Sequence, residues 1–173
     1  QLNKHIAMKT LPFPKSCLQA ASILLLAFSA TSCAQQRGGP GMPAEAREQI
    51  HALFDNHAKI HRELKLTASG YTATTESDDP RVVAALQKHV KQMQERLGSG
   101  LSVRRWDPAF AEYCDHYAEM DHQFTSTAKG VSMTVTGRNA AAIKIAQNHA
   151  KVVSAFAAQG WSEHDKKHDT VTR

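Results

Sequence analysis

The chain repeats itself without a gap at an offset of sixty residues. Gln87-Lys88-His89 returns as Gln147-Asn148-His149, and Thr67-Ala68-Ser69-Gly70 returns as Thr127-Ala128-Lys129-Gly130. Asp55 falls on Asp115, Ala58 on Ala118, Thr74 on Thr134 and Lys91 on Lys151. A constant offset over this span reads as a tandem duplication, and such self-similarity constrains architecture before any local signal does. Whatever one half folds into, the other half repeats, and the two copies must cover each other's apolar faces.

Within each half the punctuation is clear. Pro43 suits the first turn of a helix, and Ile50, Leu53, Phe54, His57, His61 and Leu64 follow helical spacing on one face. Gly70 closes a connection, and the Thr-rich alternation from Tyr71 to Glu76 predicts a strand. Asp79-Pro80 is a helix start, opening a helix with Val82, Leu86, His89, Val90, Met93 and Leu97 on one face. Gly98-Ser99-Gly100 stops it.

The second half replays the order. Asp107-Pro108 opens a helix carrying Phe110, Tyr113, Cys114, Tyr117 and Phe124; Val131–Thr136 alternates as a strand; Asn139 caps a helix carrying Ile143, Ala146, His149, Val153 and Phe156. Gly160 ends it, and the polar tail from Ser162 reads as solvated. Each half is then helix–strand–helix. Paired, the halves predict a mostly helical α+β domain: a pseudo-twofold four-helix arrangement over a two-stranded antiparallel sheet, spanning 44–161 as repeats 44–100 and 104–161.

Charge narrows the partners. The formal charge is +5, but Lys4, Lys9 and Lys15 fall in the N-terminal leader. The remainder carries eighteen basic against sixteen acidic residues. No basic stripe is present, so a nucleic-acid partner is not expected. Of the three cysteines, Cys17 and Cys33 lie in or at the end of the leader, which leaves Cys114 without an intradomain disulfide partner.

The leader itself is informative. Met8-Lys9 and Lys15 precede an apolar run from Leu18 to Ala30, too short to span a bilayer as a permanent helix. Residues 1–7 read as an extension upstream of a start at Met8. The run ends in Ala30-Thr31-Ser32-Cys33, which resembles the lipobox of bacterial lipoprotein signals, with Ala30 standing where Leu is usual. The resemblance covers the leader alone. It implies removal of residues 1–32 and lipidation of Cys33, followed by a Gly/Pro-rich tether through Pro43. The implied location is the bacterial cell envelope, anchored to the membrane by lipid and facing the periplasm or the outside. Ala34 is not the Asp that retains enterobacterial lipoproteins at the inner membrane, so the outer membrane is expected in a Gram-negative cell. An envelope protein is a further candidate partner.

Histidine is the enriched residue, with ten in the chain. His57 and His61 are four apart, a spacing that lets two imidazoles share a metal. His89 with Met93, and His116 with Met120, pair imidazole with thioether at the same spacing, a donor set suited to copper or haem iron. His89 and His149 are repeat equivalents and can face each other across the pseudo-twofold. The competing reading is that all of these are hydrogen-bonded core residues, with Gln87 and Gln147 as partners of His89 and His149. No nucleotide-binding loop, nucleophile elbow or zinc-protease motif is present, so an enzyme is the least supported class. Three readings stay open: a non-enzymatic binder of a transition metal or haem, an envelope interaction module with structural histidines, and, with least support, a small metal-dependent enzyme.

Overall fold

The structure, a computed structural model, describes residues 41–172. The leader, Cys33 and most of the tether lie outside the described residues. Helix α1 runs Ala44–Asp55, with Pro43 extended (ψ 146°) immediately before it. It ends where the Asn56 side chain turns back to donate to the Ala52 carbonyl at 2.9 Å. A single 3-10 turn, His57–Lys59, leads into strand β1, His61–Thr67, and strand β2, Gly70–Glu76. Helix α2, Pro80–Gly98, completes the first copy, with the Asp79 side chain accepting from the Arg81 amide. The second copy has the same order: helix α3 (Pro108–Asp115), the 3-10 turn Tyr117–Glu119, strands β3 (Met120–Thr127) and β4 (Gly130–Gly137), and helix α4 (Ala140–Gln159). A one-turn helix α5, Trp161–His164, begins the C-terminal segment.

The expected two-stranded sheet is therefore wrong. Four antiparallel strands form one sheet in the order β1-β2-β4-β3. The stretches read as helix continuations, through His61–Leu64 and Tyr117–Phe124, run instead into the edge strands β1 and β3, with Tyr117 in the 3-10 turn before β3. Their apolar residues satisfied helical spacing by coincidence, and Glu, Lys, Leu and Gln are good helix formers. Pairing with β2 and β4 overrides that local preference. The burial pattern then has period two: Arg62 and Leu64 turn inward while His61, Glu63 and Lys65 face solvent.

The central pair carries the pseudo-twofold. In β2–β4, Ala73 is paired with Met133, its own repeat equivalent, with Tyr71↔Val135 and Thr75↔Val131 on either side. The pairing extends symmetrically, since Ser77 N–H donates to Lys129 O and Gly137 N–H to Ser69 O, both at 2.9 Å. Gly70 and Gly130 sit where the central strands approach closely. A Cβ on Gly70 would lie 2.0 Å from Val135 O, and one on Gly130 would lie 2.1 Å from Thr75 O.

All the long helices lie on one face of the sheet, and the Thr-rich opposite face meets water. Two-layer packing buries Tyr71, Ala73, Val135, Ile145 and Ala146 in one cluster. The copies differ in how the last helix sits. Helix α4 presents Ala142, Ala146 and Ala150, all fully buried, at the positions where α2 has Val82, Leu86 and Val90. Small residues let a helix approach closely. Of the bulkier set on α2, Leu86 and Val90 line a cavity.

The C-terminal tail, read as solvated, is docked on the domain. His168 Nδ1 meets Asp107 at 2.8 Å and its Nε2 meets Glu163 at 2.9 Å. The buried Glu112 carboxylate accepts from the Val171 and Thr172 amides at 3.0 and 3.1 Å and from the Thr172 hydroxyl. Asp107, completely buried, also caps α3 by accepting from Ala109 N–H at 3.2 Å. One carboxylate thus starts a helix and holds the tail.

Candidate functional site

A cavity has two overlapping lobes, each of about 180 Å³: one lies between the inner face of the sheet and helices α2 and α4, the other among helices α1, α2, α3 and α4. Both lobes are lined by His89, Met93, Tyr113, His149, Val153 and Phe156. The duplication brings the two histidines here because each follows closely the residue that docks its helix on the opposite repeat. That docking residue is the glutamine two positions earlier. Gln87 Nε2 donates to Thr127 O at 2.9 Å and Gly130 O at 3.2 Å. Gln147 Nε2 donates to Thr67 O at 2.8 Å and Gly70 O at 3.2 Å. The expectation that these glutamines bond the histidines is overturned: each clamps the hairpin turn of the opposite repeat.

Both imidazoles are left without a protein partner at one nitrogen. Nδ1 of His89 and Nδ1 of His149 are buried and unbonded. Burial pushes the pKa of His89 down to about 4. Burial, reinforced by the positive charge of Arg62 and by His122, pushes His149 down to about 3. Both are neutral at pH 7, each with a lone pair or an N–H to offer. The His149 ring stacks on Tyr113 with centroids 3.7 Å apart and meets the edge of Phe110 at 5.1 Å. Tyr113 in turn bonds His122 Nε2 at 2.8 Å through its hydroxyl, and His122 stacks on Tyr117 at 4.1 Å. Burial raises the pKa of Tyr71 to about 12 and that of Tyr113 well above the usual value, so these phenols stay protonated.

Arg62, inward on β1, lines the same lobe as Tyr71 and Thr75. It was not among the sequence candidates, nor was His122, its repeat equivalent. Both escape notice when 61–64 and 117–124 are read as helix. Strand alternation of His61-Arg62-Glu63-Leu64 is the signal that marks Arg62 as inward.

The other candidates do not converge on the cavity. His57 sits in the 3-10 turn with Nδ1 3.1 Å from Ala158 O, its ring packed where a Cβ on Gly160 would come within 2.5 Å. His61 begins β1 on the solvent face, opposite Glu76. His116 ends α3 and pairs with Glu119 at 2.8 Å. Met120 is buried in the main core cluster. The convergence of His57 and His61 with His89 and His149 is thus corrected to a pair, His89 and His149, with Met93 beside them. Among the described residues, no group of three or more His, Cys, Asp or Glu side chains is arranged to hold a metal ion.

Compared with known proteins, the chain matches no family model, no curated protein and no solved structure.

Proposed function

We propose that the chain is an exported, lipid-anchored, non-enzymatic binding protein that encloses a small ligand between its two repeats. The observation that carries this reading is the pair of repeat-related imidazoles, His89 and His149, which both line one largely apolar cavity and each keep a buried, unbonded Nδ1. A buried polar atom without a partner costs about 1–3 kcal/mol, and a bound molecule would satisfy it. An apolar cavity with a few convergent polar groups is the usual form of a small-molecule site. Each lobe is slightly larger than the ~150 Å³ cavity that admits benzene. That size suits a compact organic molecule and falls well short of a porphyrin, so haem is disfavoured. The leader's resemblance to lipoprotein signals supports export and anchoring at Cys33.

A second reading keeps a specific observation in its favour. Met93 lines both lobes together with both histidines, and two neutral imidazoles with a thioether suit a soft cation such as copper(I).

Native mass spectrometry and metal analysis of the full-length protein, exported with its own leader, test these readings. A retained organic molecule, lost in His89→Leu and His149→Leu variants that keep their Tm, supports the first. Stoichiometric copper lost in the same variants supports the second. An empty wild-type protein whose variants only lose stability leaves the interaction-module reading. Lipidation is read in the same spectra: Cys33→Ser should abolish the acyl mass, and an unmodified N-terminus elsewhere in wild type would sink the anchor.

A further inference from the structure

Arg62 is the anomaly of the cavity. Its Nε donates to Ser154 Oγ at 3.1 Å and its Nη1 to Thr75 Oγ1 at 2.6 Å. Its Nη2 is buried and meets no acceptor. Among the described residues it forms no ion pair, and no Asp or Glu lines its lobe. Two hydroxyls orient the guanidinium without neutralising it. Burial pushes its pKa below the usual value, yet an arginine remains charged. The other buried arginine with an unbonded atom, Arg104, differs in the decisive respect: it has the Asp107 carboxylate at 3.4 Å.

The duplication sharpens the contrast. The position equivalent to Arg62 is His122, whose pKa burial lowers and which is held by Tyr113. The fold therefore tolerates a neutral ring at this place on the sheet. The cation in the first copy is not a requirement of the architecture. A charge buried without a counterion is costly, and the remaining donor, Nη2, is free for the partner that would offset that cost.

We propose that the ligand of this cavity is a small amphiphilic anion, a carboxylate with an apolar body, whose carboxylate pairs with Arg62. The proposal rests on the cavity-binding reading above and deepens it. The carboxylate would accept from Nη2. The body would lie along the apolar wall of Leu86, Val90, Val131 and Met133. The same field disfavours a cationic ligand.

Calorimetric titration of the full-length exported protein with octanoate, 1-octanol and octylamine at neutral pH tests this. The three probes share a chain and differ in charge. Octanoate should bind about tenfold tighter than octanol, or better, as a charge-assisted pair requires, and octylamine should bind weakest. Arg62→Met should abolish the preference, so that octanoate binds the variant no more tightly than octanol does. The same variant should melt at an equal or higher temperature when ligand-free, because it removes an uncompensated charge. Octanol binding as well as octanoate, an Arg62→Met variant that keeps the preference, or a lower Tm of that ligand-free variant overturns the assignment while leaving the cavity reading standing. Failure of all three probes to bind overturns both.

Discussion

Gln87 and Gln147 hold each other's repeats. Each glutamine, on the last helix of its own copy, donates to two carbonyls of the hairpin turn in the other copy, at 2.8–3.2 Å. The two copies are thus latched reciprocally across the pseudo-twofold, beyond the pairing of β2 with β4. The latch also fixes the height of His89 and His149 above the sheet, since each histidine lies two residues past its glutamine.

This crossed arrangement makes a directional prediction. Gln87→Ala should speed amide exchange at the Thr127–Gly130 turn and leave the Thr67–Gly70 turn unaffected. Gln147→Ala should do the reverse. Each should cost about 1–3 kcal/mol, the scale of partly buried carbonyls deprived of their donor. Exchange that quickens in the variant's own repeat instead would refute the latch.

The cavity histidines predict acid sensitivity. In the unfolded chain both titrate near the ordinary value of about 6.5, whereas the native state resists protonation down to about 4 for His89 and about 3 for His149. As pH falls below 6.5 the unfolded state binds protons that the native state refuses. Stability is therefore full above about pH 6.5 and declines on acidification, by about 1.4 kcal/mol per pH unit for each histidine. Denaturant melts of wild type and of His89→Leu/His149→Leu between pH 7 and pH 4.5 check this. The double variant should lose most of the slope, and parallel curves would contradict it.

The tail clamp predicts the opposite sign. Burial works against the His168 cation, but Glu163 and Asp107 outweigh it and hold its pKa above the ordinary value. Its contribution is complete below the unfolded value of about 6.5 and lost as pH rises through the elevated native pKa. Trypsin cleavage at Lys166 and Lys167 should therefore be faster at pH 9 than at pH 7, after correction with a peptide substrate. His168→Ala should be cleaved several-fold faster at both values with little pH effect. Equal protection of the variant at pH 7 would show that the remaining contacts, those of Glu112 and Asn148 among them, hold the tail without His168.

Local chemistry fixed much of the framework. The caps Asp79, Asp107 and Asn139, the stop at Gly160 and the alternation of β2 and β4 are written in short windows of sequence, and the repeat in a constant sixty-residue offset. That His89 and His149 line one space was legible from the repeat only on the condition that the twofold passes between the helices carrying them, because equivalent positions converge when they face the axis. The two edge strands were not legible. Residues 61–67 carry helix-forming side chains, the apolar residues Tyr117 and Phe124 before and within β3 fit a helical face with Tyr113, and only hydrogen bonding to β2 and β4 selects the two-residue period. That choice decided which way Arg62 points, and so put a cation in the cavity. It also removed His57, His61, His116 and Met120 from the site. The sequence by itself determined that two equal units would cover each other and bring His89 and His149 inward. Only the tertiary structure decided what surrounds those rings, because burial of Arg62 without a counterion, the crossed glutamine latch and the docked tail are contacts between residues far apart in the chain.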